Sequence, residues 1–241
     1  KKQIITIIFI KFLLRWYSIM NENKLNLTDI DLLIEESKKI NFSSESEVRN
    51  LGEKYPANFK EVGSLNENSL IEYFKIKENY KQSKEIDPKT LLIKRKIYYT
   101  DLGNGKELKN LPGWKAIKDN NIYHKAHIIA KASGGQKTYL DKQTSKRYHN
   151  GFIATICANV GVIGPLGMYD IELEMRTYLN KDNYLLYECR VIYKDPKDII
   201  PIFIVMIIVS NDYAINKIYF VWNIQCGYTI DYRTGEYFPW N

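Results

Sequence analysis

All histidines of the chain lie within one short stretch of sequence. They are His124, His127 and His149. Asn150, Asn159 and Glu172 follow closely along the chain. A neutral imidazole can take a proton from water, and amide and carboxylate oxygens are ligands that suit Mg²⁺. Together such groups could hydrolyse a phosphodiester. By spacing alone the residues could equally be structural, since buried histidines and asparagines commonly make ordinary hydrogen bonds.

The surrounding residue patterns predict an α+β domain with an antiparallel sheet. IYHKAHIIA is strand-like, and NGFIATICAN is predicted to be a short strand that leads into the loop GVIGPLG. DIELEMRTYL, which contains Glu172, has apolar residues at helical spacing. TLLIKRKIYY, near residue 91, is a strand candidate that precedes the helix. Three more strand candidates follow the helix: YLLYECRVIY, PIFIVMIIV and KIYFVWNI. The second run is apolar throughout, which is typical of a strand buried on both faces. Strands separated by a single helix favour the α+β class.

Three parts are predicted along the chain: residues 1–20, 21–90 and 91–241. The first part has basic and then apolar residues, as in a secretory signal or signal anchor. Its apolar run, Ile4 to Ile10, is too short to span a bilayer. An amphipathic helix packed on the domain and a start at Met20 are the alternatives. Residues 21–90 are predicted to be a mostly helical, solvated extension, with helices in IDLLIEESKKI and NENSLIEYFKIKENYKQSKE.

The composition is that of a folded, basic protein. Hydrophobic residues make up 45% of the chain and the formal net charge is +7, so an intrinsically disordered chain is excluded. A basic surplus favours a polyanionic partner such as nucleic acid, although a lysine-rich composition from an AT-rich genome explains it as well. The cysteines Cys157, Cys189 and Cys226 lack the spacing of a zinc site, and we expect them to be buried or in strands.

Five separated motifs resemble those of the DNA/RNA non-specific endonucleases, the ββα-metal nucleases with an Asp-Arg-Gly-His signature. HKAH, His124 to His127, stands in the place of that signature, and Pro112-Gly113-Trp114 precedes it. HIIAKASGG, the paired asparagines of NGFIATICAN and the helix of GMYDIELEMRTYL follow in the family's order. NIQCGYTIDYRTGE closes the match, which runs from about residue 92 to 237. The branch that it resembles contains streptococcal DNA-entry nucleases and secreted DNases.

The resemblance implies a role for each candidate residue. His127 would be the general base, Asn159 the direct ligand of Mg²⁺ or Mn²⁺, and Glu172 the holder of metal-bound water. Glu174 competes with Glu172 for that role. Asn150 would orient the phosphate or the site loop, or would only cap the backbone. Contacts to the substrate are expected from His124, His149 and Arg176.

The signature differs from the family pattern at its two middle positions. Lys125 stands where the family has arginine, so the positive charge remains but the two parallel donors to phosphate are lost. Ala126 adds a methyl group where glycine lets the backbone approach closely. These two changes support the alternative function, a nucleic-acid-binding member of the fold that no longer cleaves.

The resemblance implies a Mg²⁺-dependent endonuclease that hydrolyses DNA, and RNA as well, with little base selectivity. An inhibitor or immunity protein is a further candidate partner, and no small-molecule cofactor is expected. The resemblance and the N-terminal segment together favour an extracellular or outward-facing, membrane-anchored protein. A start at Met20 would favour the cytoplasm.

Overall fold

The computed structural model describes residues 24–39, 59–75, 86–87, 92–140, 147–161 and 167–239. The strands are β1 Lys24–Leu25, β2 Phe59–Leu65, β3 Ile86–Asp87, β4 Leu92–Tyr98, β5 Tyr123–His127, β6 Thr138–Leu140, β7 Arg147–His149, β8 Gly151–Thr155, β9 Tyr184–Ile192, β10 Phe203–Ser210, β11 Asn216–Trp222, β12 Tyr228–Ile230 and β13 Tyr237–Pro239. The helices are α1 Leu27–Ser37, α2 Glu67–Lys75, α3 Ile156–Val160 and α4 Met168–Tyr178.

A six-stranded sheet with the order β1-β2-β11-β10-β9-β4 forms the centre of the molecule. All neighbouring strands in it are antiparallel except β1 and β2. The residues of β10 are buried along the whole strand, as its unbroken apolar sequence predicts. Alternate β10 side chains enter two separate cores: Phe203 and Val205 face one, while Ile204 and Met206 face the other.

Helices cover both faces of this sheet. Side chains of α1 and α2, including Ile30 and Tyr73, share a core with Phe203. Side chains of α3 and α4, including Ile171, pack in the second core with Met206. The predicted α+β class with a central antiparallel sheet and flanking helices is therefore confirmed.

The described part of residues 21–90 takes part in the central sheet. The strand β2 pairs with β11, and Leu25, Ile30 and Leu65 are almost completely buried. The sequence predicts a solvated helical extension here because FKEVGSL has too few apolar residues to indicate a strand by itself. The predicted helices appear as α1, which begins three residues before IDLLIEESKKI, and as α2, whose described residues are Glu67–Lys75. The predicted segment 1–20 lies outside the described residues, and none of the helices described is long and apolar enough to cross a membrane.

A two-stranded ribbon followed by helices packs against both cores, with Tyr123 and Ile153 in the first and Ala126 and Phe152 in the second. The strands β5 and β8 are antiparallel, with His127 opposite Gly151 and Tyr123 opposite Thr155. The helix α3 begins directly after β8, where the sequence predicts that the strand of NGFIATICAN continues. Thr155 caps it, since the Thr155 Oγ1 accepts a hydrogen bond of 3.0 Å from the Ala158 N–H. The ribbon and its helices carry most of the candidate site residues.

Candidate active site

His124 and Asn159 meet at the junction of β5 and α3. The Asn159 Nδ2 donates a hydrogen bond of 3.1 Å to the His124 Nδ1. This bond uses the nitrogen of the amide and leaves its oxygen available as a ligand. It also places the proton of a neutral His124 ring on Nε2. The structure thus joins the first residue of the signature to the predicted metal ligand.

His127 is held by a loop that comes earlier in the chain. Its Nε2 lies 3.0 Å from the Lys106 carbonyl oxygen, so Nε2 carries the proton and Nδ1 has a free lone pair. The loop is fixed in turn, because the Lys106 N–H donates to the Gly135 carbonyl at 2.7 Å. A side chain at Gly105 would put a Cβ 2.0 Å from the Lys131 oxygen, so this approach requires glycine. Burial lowers the pKa of His127, which keeps the imidazole neutral and able to accept a proton.

Glu172 occupies the partly covered face of α4. Burial raises the pKa of its carboxyl to about 8, while Arg176 one turn later lowers it. Among the described residues no hydrogen bond or salt bridge to the Glu172 carboxylate is found. Burial also raises the pKa of Tyr187 in β9, and Glu172 is one of the neighbouring groups that add to this rise. The Tyr187 hydroxyl donates to the Ile128 carbonyl at 2.7 Å, directly beside His127.

Glu174, the competitor of Glu172, is committed to the central sheet. Its carboxylate oxygens bind the Lys217 Nζ at 2.7 Å and the Tyr219 hydroxyl at 2.9 Å. Both partners belong to β11. These contacts hold Glu174 away from a role in binding metal-bound water and favour Glu172 for that role.

Asn150 is fully buried and faces the backbone of a single residue. Its Oδ1 accepts from the Ile129 N–H at 2.8 Å, and its Nδ2 donates to the Ile129 carbonyl at 2.9 Å. Both polar ends of the amide are therefore engaged in holding the loop that follows His127. This geometry favours the loop-orienting role over direct contact with phosphate.

The remaining candidates lie around this centre. The Lys125 Nζ is 3.5 Å from the Lys109 carbonyl and 4.9 Å from the centre of the Trp114 ring. Arg176 donates to the Glu172 carbonyl at 3.3 Å and lies over the Tyr169 ring at 5.7 Å. His149 is in β7, paired with Thr138 of β6, and burial lowers its pKa. Among the described residues, no hydrogen bond joins the Lys125 or Arg176 side chain to the side chains of the His124–Asn159 pair.

A group of residues from the C-terminal motif fixes the start of α3, which sequence reasoning alone does not reveal. The Asn223 Oδ1 accepts from the Thr155 N–H at 2.7 Å, and its Nδ2 donates to the Ile153 carbonyl at 3.0 Å. The Thr155 Oγ1 donates to the Ile224 carbonyl at 2.7 Å. The Gln225 Oε1 accepts from the Cys157 N–H at 3.3 Å. The motif NIQCGYTIDYRTGE marks these residues in the sequence, but it does not reveal which groups they hydrogen-bond.

No protein-family model matches the chain, and no curated protein is detectably similar to it. Solved structures do match. The crystal structure of NucA from Streptococcus agalactiae with no metal bound has a TM-score of 0.54 and 17% sequence identity, over 82% of this chain and 97% of that chain. The structure of the same protein with magnesium ion bound gives a TM-score of 0.53 and 20% identity, with the same coverage. This chain has a ββα-metal nuclease fold.

Within the ββα-metal fold, β5, β8 and α3 form a strand–strand–helix unit in which β5 carries His124 and His127 and α3 carries Asn159. Across the described residues no three His, Cys, Asp or Glu side chains converge to hold an ion. The oxygen donors that the sequence predicts for an ion are one amide, from Asn159, and one carboxyl, from Glu172. Such a sparse oxygen set suits a cation that keeps most of its water ligands, as Mg²⁺ does.

Proposed function

We propose that the protein is a Mg²⁺-dependent endonuclease that hydrolyses phosphodiester bonds of DNA and RNA with little base selectivity. The observation that carries the proposal is the His127 ring, whose Nε2 is bound to the Lys106 carbonyl and whose Nδ1 is free. His127 lies in β5, the strand that also carries His124, the hydrogen-bond partner of Asn159. The fold shared with NucA, a protein that has been crystallised with magnesium, supports the same conclusion.

The residues present fit a divalent cation. Asn159 would ligate it through Oδ1, because His124 keeps Nδ2 turned away. Glu172 would accept hydrogen bonds from its water ligands. Among the described residues, Arg176 is the one cation that lowers the pKa of its carboxyl. When bound, Mg²⁺ or Mn²⁺ would stabilise negative charge on the phosphate and the leaving oxygen.

The protein side chains supply the proton transfer and the orientation. The His127 Nδ1 takes the proton of the attacking water, and the Lys106 carbonyl stabilises the imidazolium that results by keeping its bond to Nε2. Asn150 binds the Ile129 backbone and thereby fixes the end of β5, where His127 lies. The low pKa of His127 means that the base is unprotonated near neutral pH.

Positive and polar groups near this centre would bind the phosphodiester backbone. Lys125, His149 and Arg176 are the candidates, and contacts to phosphate carry no sequence information, which explains low base selectivity. The proposal includes secretion or an outward-facing anchor, which assay of the medium and of the washed cells would test. An inhibitor or immunity protein would be a partner of the same surface.

The test is plasmid nicking by the wild-type protein and by His127→Ala, with Mg²⁺ and with EDTA. We expect Mg²⁺-dependent nicking that falls by roughly 10² to 10⁴ fold in the variant, because a positioned general base contributes that much. Added imidazole should restore part of the rate, since it replaces the missing base. DNA affinity and the circular dichroism spectrum should stay unchanged.

Two results would go against this assignment. Nicking by His127→Ala at the wild-type rate would show that His127 is not the base. Tight DNA binding without any nicking, in Mg²⁺ and in Mn²⁺, would favour the alternative, a non-catalytic binder, to which the lysine at 125 and the alanine at 126 point.

A further inference from the structure

Two of the three cysteines lie side by side where α3 meets the C-terminal motif. Cys157 is buried in α3, and Cys226 is exposed directly after Gln225. The Cys226 thiol interacts with the Cys157 thiol, and this interaction together with burial raises the pKa of Cys226. The third cysteine, Cys189, is buried in β9 within the second core. Among the three cysteines, Cys157 and Cys226 are the pair that interact.

The backbones around the two thiols are also held together. The Gln225 Oε1 accepts from the Cys157 N–H at 3.3 Å, and the Thr155 Oγ1 donates to the Ile224 carbonyl at 2.7 Å. These bonds keep the 155–157 and 224–226 segments alongside each other whether or not the sulfur atoms are bonded. A disulfide needs its two Cα atoms within about 7 Å and an S–S bond of about 2.05 Å, which small side-chain rotations can supply from such a start.

We infer that Cys157 and Cys226 form a disulfide that fastens α3, and with it Asn159, to the C-terminal motif. The oxidant is a low-molecular-weight disulfide acting by thiol–disulfide exchange. The exposed Cys226 thiol loses its proton, and the resulting thiolate attacks that disulfide to give a mixed disulfide. The leaving thiolate takes up the proton and departs as one thiol. The Cys157 thiolate then attacks the Cys226 sulfur and releases the second thiol. Two protein thiols and one external disulfide thus become one protein disulfide and two external thiols.

The bond would act on the fold independently of any nuclease activity. It closes a long loop that contains α4 and the strands β9 to β11, so it removes conformational freedom from the unfolded chain. It also links the helix that carries Asn159 to the segment that already holds its first turn. The expected result is a more stable protein under oxidising conditions, with α3 unchanged in position.

The experiment compares the purified chain after incubation with reduced and with oxidised glutathione. Each sample is then denatured, labelled with a maleimide and weighed by mass spectrometry. The reduced chain should take three labels, one for each cysteine, and the oxidised chain should take one. Peptide mapping without reductant should find Cys157 linked to Cys226. Oxidation should raise the Tm by roughly 5 °C or more.

Two variants provide the controls. Cys226→Ser changes an exposed thiol to a hydroxyl of similar size, and it should take two labels in both samples with no Tm shift. Cys189→Ala removes the third thiol, and it should keep both the oxidised cross-link and the Tm shift. A glutathione adduct on Cys226 without a cross-link would overturn the inference. Full labelling after oxidation, a bond to Cys189, or a Cys226-linked dimer would overturn it equally.

Discussion

At the scale of single residues, burial acts in opposite directions on the two titratable groups of the site. It lowers the pKa of His127 and raises the pKa of Glu172 to about 8. Both shifts favour the neutral form, because a charged group loses hydration when it is buried. A neutral histidine is ready to act as a base. A neutral glutamic acid must first lose its proton before it can bind the water ligands of a cation.

Metal binding should therefore release a proton from Glu172. Below pH 8 the carboxyl is protonated without metal, so the apparent Mg²⁺ affinity should rise by about tenfold per pH unit and level off above pH 8. Calorimetry in two buffers of different ionisation enthalpy measures the protons released. At pH 7 we expect close to one proton per ion for the wild-type protein.

The matched control is two residues away. Glu172→Gln should release no proton and should bind Mg²⁺ more weakly at every pH. Glu174→Gln removes the same charge from the same helix, but Glu174 is bonded to Lys217 and Tyr219, so proton release should persist. Equal proton release by both variants would assign the proton to another group.

Residue types were predictable from the sequence, whereas their partners were not. His127, Asn159 and Glu172 can be proposed from their chemistry and from the family motifs. The Lys106 carbonyl that selects the His127 tautomer comes from a separate loop, and any residue has a carbonyl. The link from Asn159 to His124 likewise depends on how α3 packs against β5. Such contacts depend on the tertiary structure, so they cannot be predicted from the types of the residues.

At the scale of elements, asparagine side chains join segments that are distant in the chain. Asn150 binds both backbone groups of Ile129. Asn216 does the same to Leu65, with bonds of 2.9 and 2.8 Å, and joins β11 to the end of β2. Asn223 holds the end of β8 and also donates to the Pro201 carbonyl at 2.8 Å. Each replaces backbone pairing where the regular sheet ends.

Removing two of these side chains should separate stability from activity. Asn223→Ala leaves buried donors and acceptors without partners and should lower the free energy of unfolding by about 3 kcal/mol. Asn216→Ala breaks a similar pair of bonds farther from the site and should cost about 2 kcal/mol. Urea unfolding measures both losses.

Only the first variant should affect cleavage by the folded protein. Asn223 positions the start of α3, so Asn223→Ala should lower the nicking rate roughly tenfold at limiting Mg²⁺, as loss of an outer contact to a metal ligand commonly does. Asn216→Ala should stay within about twofold of the wild-type rate when measured well below its unfolding transition. Equal losses in both variants would assign the effect to general destabilisation.

The sequence predicts the elements whose own residues have a clear apolar spacing, but it does not predict the elements that depend on contacts with distant segments. The strand β10 and the helix α4 have apolar spacing that identifies them within their own sequence. The helix α3 is only five residues long, and it begins where Thr155 and Asn223 cap and hold the chain. The strand β2 is specified by β11 beside it. For such segments the tertiary context overrides the weak local signal.

At the scale of the whole molecule, the N-terminal residues complete one of the two cores. Leu25, Ile30, Leu65 and Tyr73 share a cluster with Phe203 and other residues of the central strands. Arg190 of β9 adds an ionic link, since its guanidinium binds Asp31 of α1 at 2.5 Å and the buried Glu188 at 2.6 Å. The helices α3 and α4, which carry Asn159 and Glu172, pack in the other core. The described residues of 24–39 and 59–75 therefore support the sheet from the face opposite to these helices.

The predicted boundary at residue 91 can be tested by truncation. A chain of residues 91–241 would lose β2, so β11 would become an edge strand, and the apolar face around Phe203 and Phe220 would be exposed. Exposed apolar patches and unpaired edges promote association. We expect this chain to aggregate or to bind the dye ANS, without a cooperative urea transition.

A chain of residues 21–241 is the matched control, because it keeps α1, β2 and α2. It should unfold cooperatively, with the same dependence of unfolding free energy on urea as the full chain. A soluble 91–241 chain with a cooperative transition and wild-type nicking would instead support the boundary that the sequence predicts. It would also show that the N-terminal residues are an addition to a complete domain.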